Sequence, residues 1–256
     1  MVLSLLQGLF EPFHFLLFSA SYIPSTIAQL VRSGDWGTLF SWSKFSDAWF
    51  ANFWSYAGPL VRTGAEARVV PLLQGRVRAG IVVPPEDAVS PGVGGTVIEV
   101  GPGSGMWVSI FSDKYVSQAN GDAKGSAAGL GVRTRVDKVF GIEPNPDQHP
   151  ALRRRVVEAG LEGRYEVVPV GIEDIATTGL VQPGTVDAIV TVLCLCSIPD
   201  QEKNIRALYD YLKPGGRWYV YEHVRTRPAQ GAWIGMYQSE SAVLEERLTS
   251  IYDLLV

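Results

Sequence analysis

The chain has 256 residues, 46% of them hydrophobic and 19% charged, with a formal net charge of -4. That length holds one sizeable α/β domain and an appendage, and the negative balance gives no electrostatic reason to bind nucleic acid. Cys194 and Cys196 lie too close together to found a disulfide framework, which points to a reducing compartment, and His14, His149 and His223 form no cluster at zinc spacing, so no metal is expected.

The N-terminal stretch MVLSLLQGLFEPFHFLLFSASYIPSTIAQLV is uncharged except for Glu11 and the terminal amine. A central Glu11 would cost a membrane span about 3 kcal/mol. Residues 12–31 behind it carry His14, Ser19, Ser21, Pro24, Ser25, Thr26 and Gln29, a poor match to the roughly twenty apolar residues that a span requires. No Lys or Arg precedes the apolar run, so it does not read as a secretory signal. Residues 1–35 are therefore expected to be helical and to lie in a membrane interface without crossing it.

Residues 36–95 read as an aromatic-rich helical region and a linker. Phe45/Trp49, Trp49/Phe53 and Phe50/Trp54 are i,i+4 pairs, which a helix gathers on one broad face. Such a face suits a membrane interface or packing on the rest of the protein, and both readings stand. The run AGIVVPPEDAVSPGVGG, residues 79–95, is rich in Pro and Gly and reads as the linker into the core.

From residue 96 onward strands and helices alternate. Strands are predicted at 97–100, 138–142, 166–170, 188–193 and 218–222, and helices at 106–117, 147–159 and 200–212. Pro214 and Gly215 of LKPGG are expected to end the last helix. Short Val/Ile-rich strands without polar alternation are buried on both faces, and the alternation predicts an α/β fold with a doubly wound, mostly parallel sheet. Ligands bind such sheets beyond the carboxyl ends of the strands. The segment TVIEVGPGSGMWVSIF, residues 96–111, puts Gly101, Gly103 and Gly105 there. Met106 occupies a position where the dinucleotide fingerprint asks for glycine, which leaves E-x-G-x-G-x-G headed by Glu99.

Glu143, in VFGIEPNP, ends the next strand, placed either to take ribose hydroxyls or as a solvated strand end. It arrives about twenty residues later than is usual for such an acid. The segment SQANGDAKGSAAGLGVRTR, residues 117–135, reads as a surface insertion that accounts for the delay.

Together, VIEVGPGSG, VFGIEPNP, VGIEDI and VDAIVTVLCLCSIPDQEKNIRALYDYLKPGGRWYVYEHV resemble the class I S-adenosylmethionine-dependent methyltransferases, whose domain would cover residues 96–225. The LCLCS, LKPGG and EHV elements are most similar to the methyltransferase-like 7 family of membrane-associated thiol S-methyltransferases and its fungal relatives. The resemblance implies a Rossmann-like fold and S-adenosyl-L-methionine as cofactor. Glu99, Gly101, Gly103, Ser104 and Gly105 would border the methionine part. Glu143 would hold the ribose, with Pro144 and Asn145 beside it. Ile172, Glu173 and Asp174 would face the adenine, and Leu193, Cys194 and Leu195 would lie under the methionine and the sulfonium. Asp174 reads equally well as a helix N-cap. Cys194 and Cys196, taken to face one side of an extended strand, read as packing residues.

The resemblance further implies a small-molecule methyl acceptor. It also implies association with a membrane surface, that of the endoplasmic reticulum or a lipid droplet, with the catalytic domain on the cytosolic side. A thiol acceptor is favoured, because some thiolate exists near neutral pH, whereas an oxygen acceptor wants a positioned base. His223, at the end of the fifth strand, stands as the weak candidate for that base, against a structural role bonded to a backbone carbonyl. Two other classes stay open: an NAD-dependent oxidoreductase, opposed by Met106 and by the expected absence of a Tyr-x-x-x-Lys pair, and a membrane-bound protein that keeps the fold without turnover. Residues 226–256 read as one amphipathic helix, with Val243, Leu244, Leu248, Ile251, Leu254 and Leu255 at helical spacing. Methyltransferases of class I ordinarily close the sheet with two more strands. Their lack is expected to leave the fifth strand with an open edge, the acceptor pocket open to water and activity impaired.

Overall fold

A computed structural model of the chain describes residues 14, 16–112 and 136–224. The start of the apolar N-terminal segment, the Gly/Ala-rich insertion and the terminal amphipathic helix, with the expected lack of two strands, lie outside the described residues. The described residues form two compact units. Of these, one unit draws on 14, 16–92, 103–112 and 147–162, the other on 93–102, 136–146 and 163–224.

The first unit is helical. Helix α1 (Ile23–Ser33) ends at Gly34, whose φ of 73° lets its N–H return to the carbonyls of Leu30 and Val31. Helix α2 (Trp36–Leu39) starts at Asp35, whose carboxylate accepts the Thr38 N–H at 3.0 Å. Helix α3 (Trp42–Leu73) runs for 32 residues. Its buried side chains Phe45, Phe53, Ala57, Ala65, Val69 and Leu73 follow an i,i+4 row. The expected single aromatic face is therefore divided. Phe45 and Phe53 turn inward, while Trp42 and Phe50 remain exposed, because aromatic residues occupy more of the helix circumference than one stripe can bury. Asn52 ties α3 to α1 through its Nδ2, which donates to Ser25 Oγ and Thr26 Oγ1, both at 2.9 Å.

The stretch read as a linker from residue 79 contains structure. Strands β1 (Val77–Arg78) and β2 (Ile81–Val82) pair antiparallel across Ala79 and Gly80, which have φ of 50° and 80°. A two-residue turn with positive φ at both positions matches the twist of the flanking strands.

The helix expected at 106–117 is also corrected. Within the described residues 106–112 the backbone forms turns and one 3-10 segment, Val108–Phe111. Trp107, Val108, Ile110 and Phe111 are all buried, so the segment has no polar face on which an amphipathic helix could rest. Helix α4 (His149–Glu158) completes this unit.

The second unit is a five-stranded parallel sheet of β3 (Gly95–Val100), β4 (Val136–Ile142), β5 (Tyr165–Val168), β6 (Val186–Val192) and β7 (Leu212–Tyr221), in the order β5-β4-β3-β6-β7. Its core holds Ile98, Val100, Phe140, Ile142, Val168 and Ile189, with Ile175 of α5 (Ile175–Thr178) and Leu208 of α6 (Gln201–Tyr209). The chain winds outward from β3 through β4 to β5, then returns to β3's other side for β6 and β7. That reversal is the doubly wound topology, and it puts the switch point between β3 and β6. The LKPGG run does not end the last helix, which closes at Tyr209. It lies within β7 as a bulge, where Val186 and Ala188 pair with Leu212 and Arg217. Gly215 has φ of 81°, and a Cβ on Gly216 would come within 3.0 Å of the Val186 carbonyl oxygen, so this loop-out depends on both glycines.

Candidate cofactor-binding site

Gly101 follows β3 at the switch point, with φ of 59° and its N–H donating to the Ile142 carbonyl at 3.0 Å. A Cβ there would stand 2.8 Å from Cys194 Cβ, in the turn after β6. Two strand ends thus approach each other so closely that one must be glycine.

The turn after β6 is held from two sides. Leu193 adopts a left-handed φ of 54°, uncommon for a side-chain-bearing residue, and donates its N–H to the Tyr221 carbonyl at 2.8 Å. Glu222, just past β7, accepts the N–H groups of Cys194 (3.1 Å) and Leu195 (3.2 Å) on its two carboxylate oxygens. The Cys194 thiol donates to the same carboxylate at 3.4 Å. Burial first, and then the Glu222 charge, push the Cys194 pKa up, so it stays a thiol and packs. Cys196 is exposed. The two cysteines do not share a face as expected, because the strand ends at Val192 and Leu195–Ser197 turn as a 3-10 segment.

Two carboxyls lie buried at the adjacent strand ends. Glu143, 6% exposed, accepts the Asn145 N–H on Oε1 at 3.0 Å, so it is not a solvated strand end. Pro144 beside it is exposed. Glu99, 3% exposed, accepts a 2.5 Å hydrogen bond from the Tyr165 hydroxyl. Tyr165 pairs in register with Val139, while Glu99 pairs with Gly141, so the phenol crosses β4 over Gly141, where a Cβ would collide with the ring. Burial raises the pKa of Glu99 to about 7; the Tyr165 bond works against that rise and the nearby Glu143 adds to it. Burial and Glu99 push Tyr165 well above its usual range, which keeps it a donor.

The remaining predicted residues are spread along the loops. Ile172 is buried in the 3-10 turn Ile172–Asp174 after β5, whereas Glu173 and Asp174 are exposed. Asp174 occupies the N-cap position of α5 but makes no side-chain capping bond. In the first unit, Ser104 accepts Arg155 Nη1 at its hydroxyl (2.8 Å) and its carbonyl (3.1 Å). Gly105 has φ of 86°, and a Cβ there would meet Leu152 Cδ1 at 2.9 Å. Gly103 has φ of 56°. His223 is exposed and takes part in no hydrogen bond among the described residues. No metal-holding cluster of His, Cys, Asp or Glu occurs among the described residues.

Sequence reasoning missed Tyr165 and Glu222 as parts of the site. Gly141, a glycine in the middle of a strand, was a usable signal for Tyr165, since it marks close approach by another group.

A family profile described as "Methyltransferase domain" matches residues 83–247, more than half of the chain. The chain belongs to this methyltransferase-domain family. The strand order above is that of the Rossmann-like class I fold. Among curated proteins, it is similar to the thiol S-methyltransferase TMT1A of Homo sapiens, 35% identical over 88 residues; the match spans 34% of each chain. Among solved structures, it is similar to a SAM-dependent methyltransferase from Aquifex aeolicus (19% identity, TM-score 0.33, covering 46% of this chain and 51% of that one). It is also similar to one from Thiobacillus denitrificans in complex with S-adenosyl-L-homocysteine (19% identity, TM-score 0.32, covering 48% and 40%).

The family sets aside the NAD-dependent oxidoreductase. The chain does carry one Tyr-x-x-x-Lys spacing, Tyr209 and Lys213, but Lys213 ion-pairs with Asp187 and the Tyr209 ring packs edge-on against Trp218 at 5.0 Å. S-adenosyl-L-methionine is the cofactor of this class. The residues present fit it, with a glycine in the left-handed region at the switch point, Gly101, and a buried strand-end carboxylate at Glu143.

Proposed function

We propose that this chain transfers a methyl group from S-adenosylmethionine to a small-molecule acceptor, a thiol by preference, and does so at a membrane surface. The observation that carries the reading is the bare backbone of Gly101 packed on Cys194 at the switch point, with buried Glu143 ending the neighbouring strand. Glu143 holds the ribose hydroxyls, with Asn145 beside it, and Ile172 to Asp174 lie towards the adenine. Leu193, held by Tyr221, and Cys194 and Leu195, held by Glu222, form the floor under the methionine, and Glu99 and Gly101 border it.

When bound, the cofactor supplies an electrophilic methyl on a positively charged sulfur. The residues around it contribute alignment and exclusion of water, which carry much of such a displacement. The partial likeness to a thiol S-methyltransferase supports the thiol preference.

The membrane reading rests on exposed apolar side chains of the first unit: Leu16, Leu17, Ile27, Val31, Trp36, Phe40 and Trp42. Among the described residues no helix is long and apolar enough to cross a membrane. Residues 96–225 would then form the catalytic domain, on the cytosolic side of the endoplasmic reticulum or on a lipid droplet.

The test is methyl transfer from isotope-labelled S-adenosylmethionine to a panel of thiols, phenols and amines. Turnover is expected on thiols. Turnover on phenols or amines without thiols would overturn the acceptor class, and transfer to none would overturn the activity.

A further inference from the structure

Glu99 on β3 is enclosed by groups from both sides of the sheet. Tyr165 donates to it from β5, Glu143 stands near it at the end of β4, and Cys194, with Glu222 behind it, lies beyond β6. None of these four carries a positive charge. A carboxyl in such a place holds its proton near neutrality, because burial penalises the anion and the neighbouring carboxylate adds to the penalty. Tyr165 works the other way, since its hydroxyl stabilises the anionic form. That contact depends on Gly141, whose missing side chain lets the phenol reach across β4. S-adenosylmethionine brings a sulfonium and an ammonium, and positive charge placed beside a buried carboxyl favours its ionised form.

Resting on the cofactor reading above, we propose that Glu99 releases its proton to solvent when the cofactor binds, and that Tyr165 is the positioning residue that holds the resulting carboxylate. Cofactor affinity then rises with pH up to neutrality, by at most about tenfold per pH unit below it. Replacing Tyr165 by Phe removes the bond that favours the anion and moves proton release to higher pH.

The experiment is calorimetric titration of the full-length protein with S-adenosylmethionine in two buffers of different ionisation enthalpy, which counts protons exchanged. With the Glu99 carboxyl raised towards neutrality, wild type is expected to release a measurable fraction of a proton at pH 7 and less at pH 8. Tyr165→Phe is expected to release more than wild type at pH 8, and Glu99→Gln to release close to none at either pH. Wild-type binding with no proton exchange between pH 6 and 8 overturns the proposal, as does equal release by wild type and Glu99→Gln. If Glu99→Gln does not fold, the wild-type and Tyr165→Phe titrations decide alone. Absence of binding heat in every buffer overturns the cofactor reading itself, a result distinct from binding without proton release.

Discussion

Phe40 of the helical unit is 83% exposed and Glu99 of the sheet unit is 3% exposed. Each is the reverse of what its side chain favours in a globular protein. Around Phe40 the departure repeats: Trp36, which stacks on it at 6.3 Å, and Trp42 also face outward. Around Glu99 it repeats as well, in Glu143. An exposed apolar set is stable where something other than water covers it, and a buried carboxyl is tolerated where donors or a ligand compensate it. On the proposed reading, the helices dock on a membrane surface and the strand ends carry the chemistry.

The docking half can be broken most sharply. Trp36→Ser combined with Phe40→Ser removes two side chains worth roughly 1.5–3 kcal/mol each on burial, so vesicle binding should weaken by about a hundredfold or more. Unchanged cosedimentation would mean that this face is not the one that meets lipid.

On the chemical half, the largest effect concerns Glu99. Its pKa in the fold, about 7, lies above its ordinary value of 4.5. The cost of ionising it in the fold therefore grows as pH rises from about 4.5 and levels off above about 7, reaching about 3 kcal/mol. Urea midpoints of the cofactor-free protein should fall between pH 5 and 8 relative to those of Glu99→Gln. Parallel profiles would place Glu99 in a solvated setting.

Gly101→Ala comes next. A residue with φ of 59° and a Cβ 2.8 Å from Cys194 Cβ costs the fold about 1–3 kcal/mol, which should lower the urea midpoint. An unchanged midpoint would show that the two strand ends part without cost. The smallest effect is expected at Asp174. Lacking a capping bond, Asp174→Ala should change folding stability by no more than about 0.5 kcal/mol, and a larger loss by thermal denaturation would restore its role as a cap.

The parallel sheet was legible because Val97, Ile98, Val139, Ile142 and Ile189 sit in short runs with few polar interruptions, and a strand buried on both faces leaves that mark. The glycine turn and Glu143 were legible from their place at strand ends. Tyr165 and Glu222 were not, because their roles depend on register. Tyr165 reaches Glu99 only once β5 pairs with β4 at Val139, and Glu222 reaches Cys194 only once β7 pairs with β6. The segment around Trp107 misled because its apolar residues are buried all round, which a helix-compatible composition does not distinguish from a helix with one apolar stripe.

The central claim is that S-adenosylmethionine binds at the strand ends with its ribose on Glu143. Calorimetric titration of wild type against Glu143→Ala, with folding of both checked by thermal melt, tests it most directly. Loss of a charged hydrogen-bond acceptor is expected to weaken binding by about tenfold to a hundredfold. A dissociation constant unchanged in a folded Glu143→Ala variant would contradict the account.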